Sequence, residues 1–254
     1  MPKISAVIIT YNEELFIEKC LASIVGITDE IIVVDSFSTD ATEEICKKFN
    51  VKFVQHKFEG YRDQKNFALS LATYKNILAL DADEALSDKL RESILAVKDN
   101  WEYDGYYFNR RNLFCGKWIK HSEWYPNRQL RLFRSDKGQF GKLNIHEKFI
   151  MSNGQSVGLL EGDLIHSSCE TPQEHIEELN KYALIAAEEY YNAGRKASLF
   201  TPYIHYIWGF IRSYIIKGGF LDGYDGFLIC SLYAKATFNK YKRLRYFIKN
   251  NTTN

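Results

Sequence analysis

Four short apolar runs, each followed by a polar turn and then by helical spacing, constrain this chain more than any other feature. The first covers residues 4–10 and is predominantly apolar, as expected of a strand buried on both faces. Residues 13–25 follow with Phe16, Cys20 and Ile24 on one side of a helix and Ile17 and Leu21 beside them. Three further strands are expected at 30–34, 51–55 and 76–80, separated by helices at 40–49 and 60–72. Asp40 and Glu43 have the spacing of a capping box. Strands that alternate with helices require right-handed crossovers and a mostly parallel sheet, so the fold class is α/β with helices flanking the sheet.

The pattern changes after Glu84. A helix is expected at 87–97 and strands at 105–114 and 129–133, joined by a polar, aromatic loop from 115 to 128. From Thr171 the chain reads as helix, with Thr171-Pro172-Gln173-Glu174 supplying a cap and proline in the first turn. Residues 198–249 are apolar and aromatic, broken at Gly218-Gly219, Asp222-Gly223 and Asp225-Gly226. These shifts predict an α/β domain at 1–168 and a mainly helical, aromatic-rich C-terminal region at 169–254.

The net charge of +1 gives no reason to expect nucleic acid as a partner. The cysteines (Cys20, Cys46, Cys115, Cys169 and Cys230) are odd in number and lack C-x-x-C spacing. That argues against a disulfide framework or a zinc cluster and for a reducing compartment. The N-terminal apolar stretch is too short for a signal peptide. Residues 197–211, free of charge but interrupted by Pro202 and His205, are too few to span a bilayer. A cytoplasmic location is therefore expected.

Ligands of parallel sheets bind beyond the carboxyl ends of the strands. Here those ends carry Thr10-Tyr11-Asn12-Glu13, Asp35-Ser36-Phe37-Ser38-Thr39-Asp40 and Asp81-Ala82-Asp83-Glu84. In an extended segment Asp81 and Asp83 share a face, and two carboxylates so placed can hold a hard divalent cation. Such a cation neutralises a diphosphate leaving group. D-x-D is also common in solvated turns; its position after an apolar strand and opposite Asp35 favours the metal reading. Asp35 suits a nucleobase or ribose, while Ser38, Thr39 and Asp40 suit helix caps, and both roles can coexist. Arg62 and Lys65, near the start of the third helix, can meet a base or phosphate or lie on a solvated face.

Taken in order, I-T-Y-N-E-E, V-V-D-S-F-S-T-D, G-Y-R-D-Q-K-N-F-A-L and L-D-A-D-E resemble the motifs of glycosyltransferase family 2, the inverting enzymes of GT-A fold. N-R-Q-L-R-L-F-R, I-H-E and K-G-G-F-L-D-G-Y-D-G-F extend the likeness toward lipopolysaccharide inner-core β-1,4-glucosyltransferases. The resemblance implies that Thr10, Tyr11, Glu13, Asp35 and Lys65 contact the nucleoside and that Asp81 lies near the ribose and metal. Asp83 would bind Mg²⁺ or Mn²⁺. Many relatives have two aspartates where this chain has Asp35-Ser36. The implied reaction moves a hexose, with glucose the favourite, from a UDP-sugar to a glycan or glycolipid acceptor, a lipopolysaccharide core heptose being the implied one. Another cell-surface polysaccharide is an alternative acceptor. A sugar nucleotidyltransferase is a weaker alternative, because the first turn lacks the glycine-rich phosphate loop such enzymes carry.

An inverting displacement needs a base within reach of the acceptor hydroxyl. Glu147 in Asn144-Ile145-His146-Glu147 is the candidate, with His146 orienting it or touching the metal. Glu84, Glu123 and Asp163 are alternative bases, and His166 is an alternative metal ligand. Arg128, Arg131 and Arg134 offer bidentate groups to a donor diphosphate or phosphorylated acceptor, or form a strand face paired with acids. Trp118, Trp124 and Tyr125 lie in the 115–128 loop, where they suit a sugar ring. Phe200, Tyr203, Ile204, Ile207, Trp208 and Ile211 recur at helical spacing and precede Lys235, Lys240, Lys242, Arg243, Arg245 and Lys249. That combination suits a helix on the inner face of the cytoplasmic membrane, or one packed on the α/β core.

Overall fold

A computed structural model describes residues 1–141, 148–169 and 171–251. In chain order the elements are β1 (Ile4–Thr10), α1 (Ile17–Ile24), β2 (Glu30–Asp35), α2 (Thr42–Cys46), β3 (Lys52–Gln55), α3 (Tyr61–Ser70), β4 (Asn76–Asp81), β5 (Glu84–Leu86) and α4 (Asp88–Asp99). They continue with β6 (Gly105–Phe114), β7 (Lys117–Trp118), β8 (Asn127–Arg134), β9 (Gly138–Phe140), β10 (Phe149–Met151), β11 (Val157–Cys169), α5 (Pro172–Asn192), α6 (Thr201–Phe210) and α7 (Gly223–Asn251). Two compact units result: residues 1–111 with 127–167, and residues 112–126 with 168–254.

The first unit is built on a mixed sheet in the order β3-β2-β1-β4-β8-β6-β11-β5. Strands β3, β2, β1 and β4 are mutually parallel, whereas β8 runs antiparallel to both β4 and β6. Alternation along each strand divides the apolar runs between two cores. Ile4, Ala6, Ile8, Leu78 and Leu80 face α1 and α4, where Leu21, Leu90 and Ile94 are fully buried. Val7, Ile77 and Ala79 face Ala68 of α3 and a cluster in which Phe133 stacks on Phe149 at 3.6 Å. Both faces are covered, which is why these strands carry no polar alternation.

Helices α1 and α2 are shorter than the sequence spacing predicts. The backbone N–H groups of Glu13 and Glu14 donate to Thr42 Oγ1 (2.9 Å) and Asp40 Oδ2 (3.0 Å), which keeps the chain out of helix there. The expected Asp40–Glu43 box does not form: the residue before α2 is Ala41, and Asp40 Oδ1 instead accepts from the Thr42 N–H. At α4 Ser87 caps the first turn by accepting from Leu90 N–H. Short strands β5, β7, β9 and β10, and the long β11, carry no clear periodic signal. Within β11, Gly162 has φ +97°, and any side chain there would collide with the backbone of Leu90. Glycine thus interrupts the strand pattern because the N-terminus of α4 packs against it.

The second unit is helical apart from the hairpin β6-β7, in which Leu113 pairs with Trp118. Helix α5 begins with the expected capping box, Thr171 accepting from Glu174 N–H and Glu174 returning to Thr171 N–H. Asp222 accepts from the Lys120 and His121 N–H groups and lies 3.0 Å from His121 Nδ1, and Asp225 pairs with Lys117 at 2.6 Å. These two aspartates of the glycine-punctuated segment hold the 115–122 loop. Gly226 is required as glycine because a side chain there would strike the Gly219 carbonyl. A small core of Phe114, Ile119 and Ile229 packs with Trp124 and Leu228. Cys20, Cys46, Cys115 and Cys230 are free thiols. Among the described residues, no helix is long and apolar enough to cross a membrane.

Candidate active site

The carboxyl ends of the parallel strands lie side by side: Gln55 opposite Asp35, Asp35 opposite Thr10, and Asp81 opposite Ile9. The loops after β1 and β2 are clasped together. Asn12 N–H donates to Ser38 Oγ (2.8 Å), Thr39 N–H donates to Asn12 Oδ1 (2.8 Å), and Ala41 N–H donates to Glu14 Oε2 (2.9 Å). Asn12 and Phe37 adopt left-handed backbone conformations, φ +55° and +62°, which cost energy in non-glycine residues. Asp35 is fully buried and accepts from both the N–H and the hydroxyl of Ser38. Thr10 is buried at the strand end, and its Oγ1 has no hydrogen-bond partner among the described residues. Tyr11 is exposed beside it, Glu13 is half-buried, and Phe37 is exposed on the neighbouring loop.

At the end of β4 the acidic segment turns instead of continuing as strand, so Asp81 and Asp83 meet different partners. Asp81 Oδ1 lies 2.8 Å from Lys65 Nζ, and Asp81 Oδ2 lies 2.6 Å from an Arg131 guanidinium nitrogen. Asp83 Oδ2 lies 3.0 Å from His166 Nε2, which β11 delivers opposite Glu84. Glu84 is wholly buried; it lies 2.6 Å from Arg131 and 3.5 Å from Arg110, and it accepts from the Asp81 N–H. Burial disfavours the Asp81 charge, but Arg131 and Lys65 outweigh it and hold the carboxyl well below the usual carboxylate range. Burial likewise opposes the Arg131 charge, and Asp81 and Glu84 outweigh it, leaving the guanidinium firmly protonated. Burial, then the negative charge of Glu84, Asp83 and Asp81, pushes the nearby Cys20 thiol well up.

Arg131 reaches this cluster through a β-bulge. Tyr106 pairs with Leu132 and Tyr107 with Leu130, so Arg131 is the extra residue, and residues 131–133 are all buried. Bulges re-aim side chains in this way. The three arginines of the strand therefore diverge: Arg131 goes to the acids, Arg134 pairs with Asp136 at 3.0 Å, and Arg128 is exposed. Lys65 is buried, with its ammonium 5.7 Å from the Phe140 ring centroid as well as beside Asp81. Arg62 pairs with its neighbour Asp63 at 2.8 Å, partly exposed.

Asp35, Thr10, Asp81 and Lys65 are thus brought to one edge of the first unit. Trp124 belongs to the second unit, packed edge-on against Phe114 and His175. Trp118 pairs in β7 and Tyr125 precedes a cis Pro126. Of the alternative bases, Glu84 is committed to arginine, Glu123 lies 3.3 Å from Arg212, and Asp163 lies 3.9 Å from Arg111. Glu147 and His146 lie outside the described residues. Sequence reasoning missed Gln64, which is buried, donates to Ser36 Oγ (3.1 Å) and pairs with His56 Nδ1 (2.8 Å). Its only signal was membership of the G-Y-R-D-Q-K-N block.

The model of the family described as Glycosyl transferase family 2 matches residues 5–161. An uncharacterized glycosyltransferase of Rickettsia typhi is 31% identical, over 96% of this chain and 87% of its own. The lipopolysaccharide core biosynthesis glycosyltransferase LpsC of Rhizobium meliloti is 32% identical, over 90% of this chain and 87% of its own. Among solved structures, the mannosyltransferase PcManGT of Pyrobaculum calidifontis, in complex with GDP-Man and Mn²⁺, has a TM-score of 0.57 at 15% identity. That alignment covers 97% of this chain and 88% of the mannosyltransferase, and it bears on the fold alone, which is GT-A. With the family match running from β1 through both acidic turns into β11, and with relatives of this identity along nearly the whole length, the chain belongs to glycosyltransferase family 2.

Proposed function

We propose that this glycosyltransferase is an inverting, divalent-cation-dependent hexosyltransferase. It moves glucose from UDP-glucose to a glycan or glycolipid acceptor of the lipopolysaccharide core. The observation that carries the reading is the acidic turn after β4, where Asp81 is already neutralised by Lys65 and Arg131 while Asp83 stands 3.0 Å from His166. A carboxylate oxygen and an imidazole nitrogen suit Mn²⁺, and the carboxylate suits Mg²⁺. Among the described residues no group of three or more His, Cys, Asp or Glu side chains is placed to enclose an ion. That fits a cation that takes its remaining ligands from substrate phosphates and water. When bound, it would neutralise the departing diphosphate.

The chain's own residues supply the rest. The unpartnered hydroxyl of Thr10, the exposed ring of Tyr11, Glu13 and Asp35 offer hydrogen bonds and a stacking face to the nucleoside. Lys65 and Arg131 fix Asp81 as an anion beside the ribose, and Arg62 reaches a phosphate by exchanging Asp63 for it. The acceptor hydroxyl then attacks the anomeric carbon and passes its proton to a carboxylate base, for which Glu147 is the proposal, as the bond to the diphosphate breaks. The link to lipopolysaccharide draws on LpsC. The second unit, which contains Trp124, is proposed to serve the acceptor. Exposed Phe200, Tyr203, Ile204 and Ile207, flanked in sequence by exposed Arg195, Lys196 and Arg212, support contact with the inner face of the cytoplasmic membrane.

Calorimetric titration with UDP, with and without Mn²⁺ or Mg²⁺, tests this reading, followed by product release from UDP-glucose and GDP-mannose. Binding should be cation-dependent, and Asp83→Asn should weaken it by at least about tenfold and abolish transfer. An Asp83→Asn protein with the parent's cation dependence and turnover would remove the reading; preference for GDP-mannose would change the donor.

A further inference from the structure

The second unit contains an open groove of about 310 Å³, lined by side chains from three segments of that unit. His205, Trp208 and Gly209 of α6 and the following Arg212 form one wall. Tyr233, Thr237, Lys240 and Tyr241 of α7 form the other, and Glu123 lies at one end. The positions 205, 208/209 and 212, and 233, 237 and 240/241, each follow one face of a helix. The volume is at the low end for a ligand pocket and suits one sugar ring.

The lining combines two chemistries. Aromatic surface is left in water: Trp208 is 54% exposed and Tyr233 is 44% exposed, while His205 stacks nearly parallel on Tyr241 at 4.1 Å. Rings of this kind offer an apolar face with a polar edge, which matches the C–H and O–H faces of a sugar. The charges do not balance. Glu123 is shared by Arg212 (3.3 Å) and Lys217, whereas Lys240 makes no ion pair among the described residues and lies 4.8 and 4.9 Å from the ring centroids of Tyr190 and Tyr241. Burial, and then Lys240, holds the His205 imidazole below its usual value, which favours its neutral form at pH 7, so it adds no further positive charge. An apolar packing defect would not gather two cations, a threonine hydroxyl and an imidazole around an open aromatic surface.

We infer that this groove is a binding site for an anionic sugar, a hexose or heptose ring carrying a phosphate or carboxylate, with the ring on Trp208 and Tyr241 and the anion toward Lys240 and Arg212. It rests on the proposed function only in taking such a sugar to be part of the acceptor. Its lining residues all belong to the second unit and none of them is among the residues of the acidic edge, so the two readings can fail independently.

The full chain labelled with ¹⁵N provides the test. Trp208→Phe identifies the Trp208 indole signal, and mannose 6-phosphate, mannose and inorganic phosphate are titrated in turn. Mannose 6-phosphate should shift that signal and bind at least about tenfold more tightly than mannose or phosphate alone. Gly209→Phe fills the groove from a helical position with open space around it, and Lys240→Met removes the unpaired charge. Each should weaken mannose 6-phosphate by about tenfold or more while leaving Mn²⁺-dependent UDP binding within about twofold. No binding of any probe at about 20 mM, phosphate alone matching mannose 6-phosphate, or indifference to Lys240→Met in a folded protein would each overturn the inference. Loss of UDP binding in the unsubstituted chain would count against the proposed donor site and leave the groove standing.

Discussion

Arg131 is the residue on which the acidic edge of the first unit depends. It is buried, and it supplies 2.6 Å contacts to both Asp81 and wholly buried Glu84. Removing one partner of such a cluster leaves a charge in a medium that cannot solvate it. Arg131→Ala should therefore cost about 3–5 kcal/mol in urea unfolding, and Arg131→Lys less, because it keeps a charge but loses the planar fork. A loss below about 1 kcal/mol for Arg131→Ala would mean that water or another cation replaces the guanidinium. At this scale the sequence showed the acids but not their pairing. Asp35, Asp81 and Asp83 could be found because each follows an apolar strand. Arg131 could not be distinguished from Arg128 and Arg134, because only the bulge opposite Tyr106 and Tyr107 separates them. The i,i+2 rule for Asp81 and Asp83 presumed extended chain, and the segment turns at Ala82 and Asp83.

Among the elements, α6 packs against α7 through Tyr203, His205 and Tyr206 yet leaves a row of large apolar side chains in water. Tyr203, Ile204 and Ile207 are each more than half exposed, an uncommon arrangement for a helix that also contributes Pro202 to the interior. If this face lies in a bilayer interface, the paired substitution Ile204→Asp with Ile207→Asp should lower binding to phosphatidylglycerol-containing vesicles by about tenfold or more, with thermal stability preserved. Added salt should also weaken binding by the unsubstituted chain, each nearby Lys or Arg being worth about 1 kcal/mol at an anionic surface. Flotation of the doubly substituted protein with vesicles as efficiently as the parent would rule out this face. The helical spacing of these residues was legible in advance, as were β1, β2, β4, β6 and the Thr171 cap, since each rests on local chemistry. Strands β5, β9, β10 and β11 were not, because they are set by partners distant in sequence. The conformation of Gly162 makes sense only once Leu90 is packed against it.

For the molecule as a whole, the first unit's charged groups determine how it meets acid. Burial opposes ionisation of Asp29, but Lys98 and the Ile4 N–H outweigh it. Burial is likewise overcome at Glu30 by Ser5 and Thr73, and at Asp40 by hydrogen bonds from Thr42 and the Glu14 N–H. All three carboxyls therefore sit below their ordinary values in the folded chain. Unfolded carboxylates take up protons near pH 4, so between that point and the lower folded values the unfolded state binds more protons than the native one. Stability rises with pH wherever this holds, so the contribution of these groups is complete above about pH 5 and drains away as pH falls through the folded values. Calorimetric unfolding should show a transition temperature unaffected by these groups from about pH 6 to 8 and falling steeply below about pH 4. Asp29→Asn isolates one of them. It leaves the Lys98 ammonium, which also donates to the Ile27 carbonyl, without its carboxylate. The variant should be less stable than the parent at pH 7, and the gap should narrow as acid protonates Asp29 in the parent. A gap that stays constant down to pH values where the parent's acid limb is steep would show that the Asp29–Lys98 pair takes no part in it.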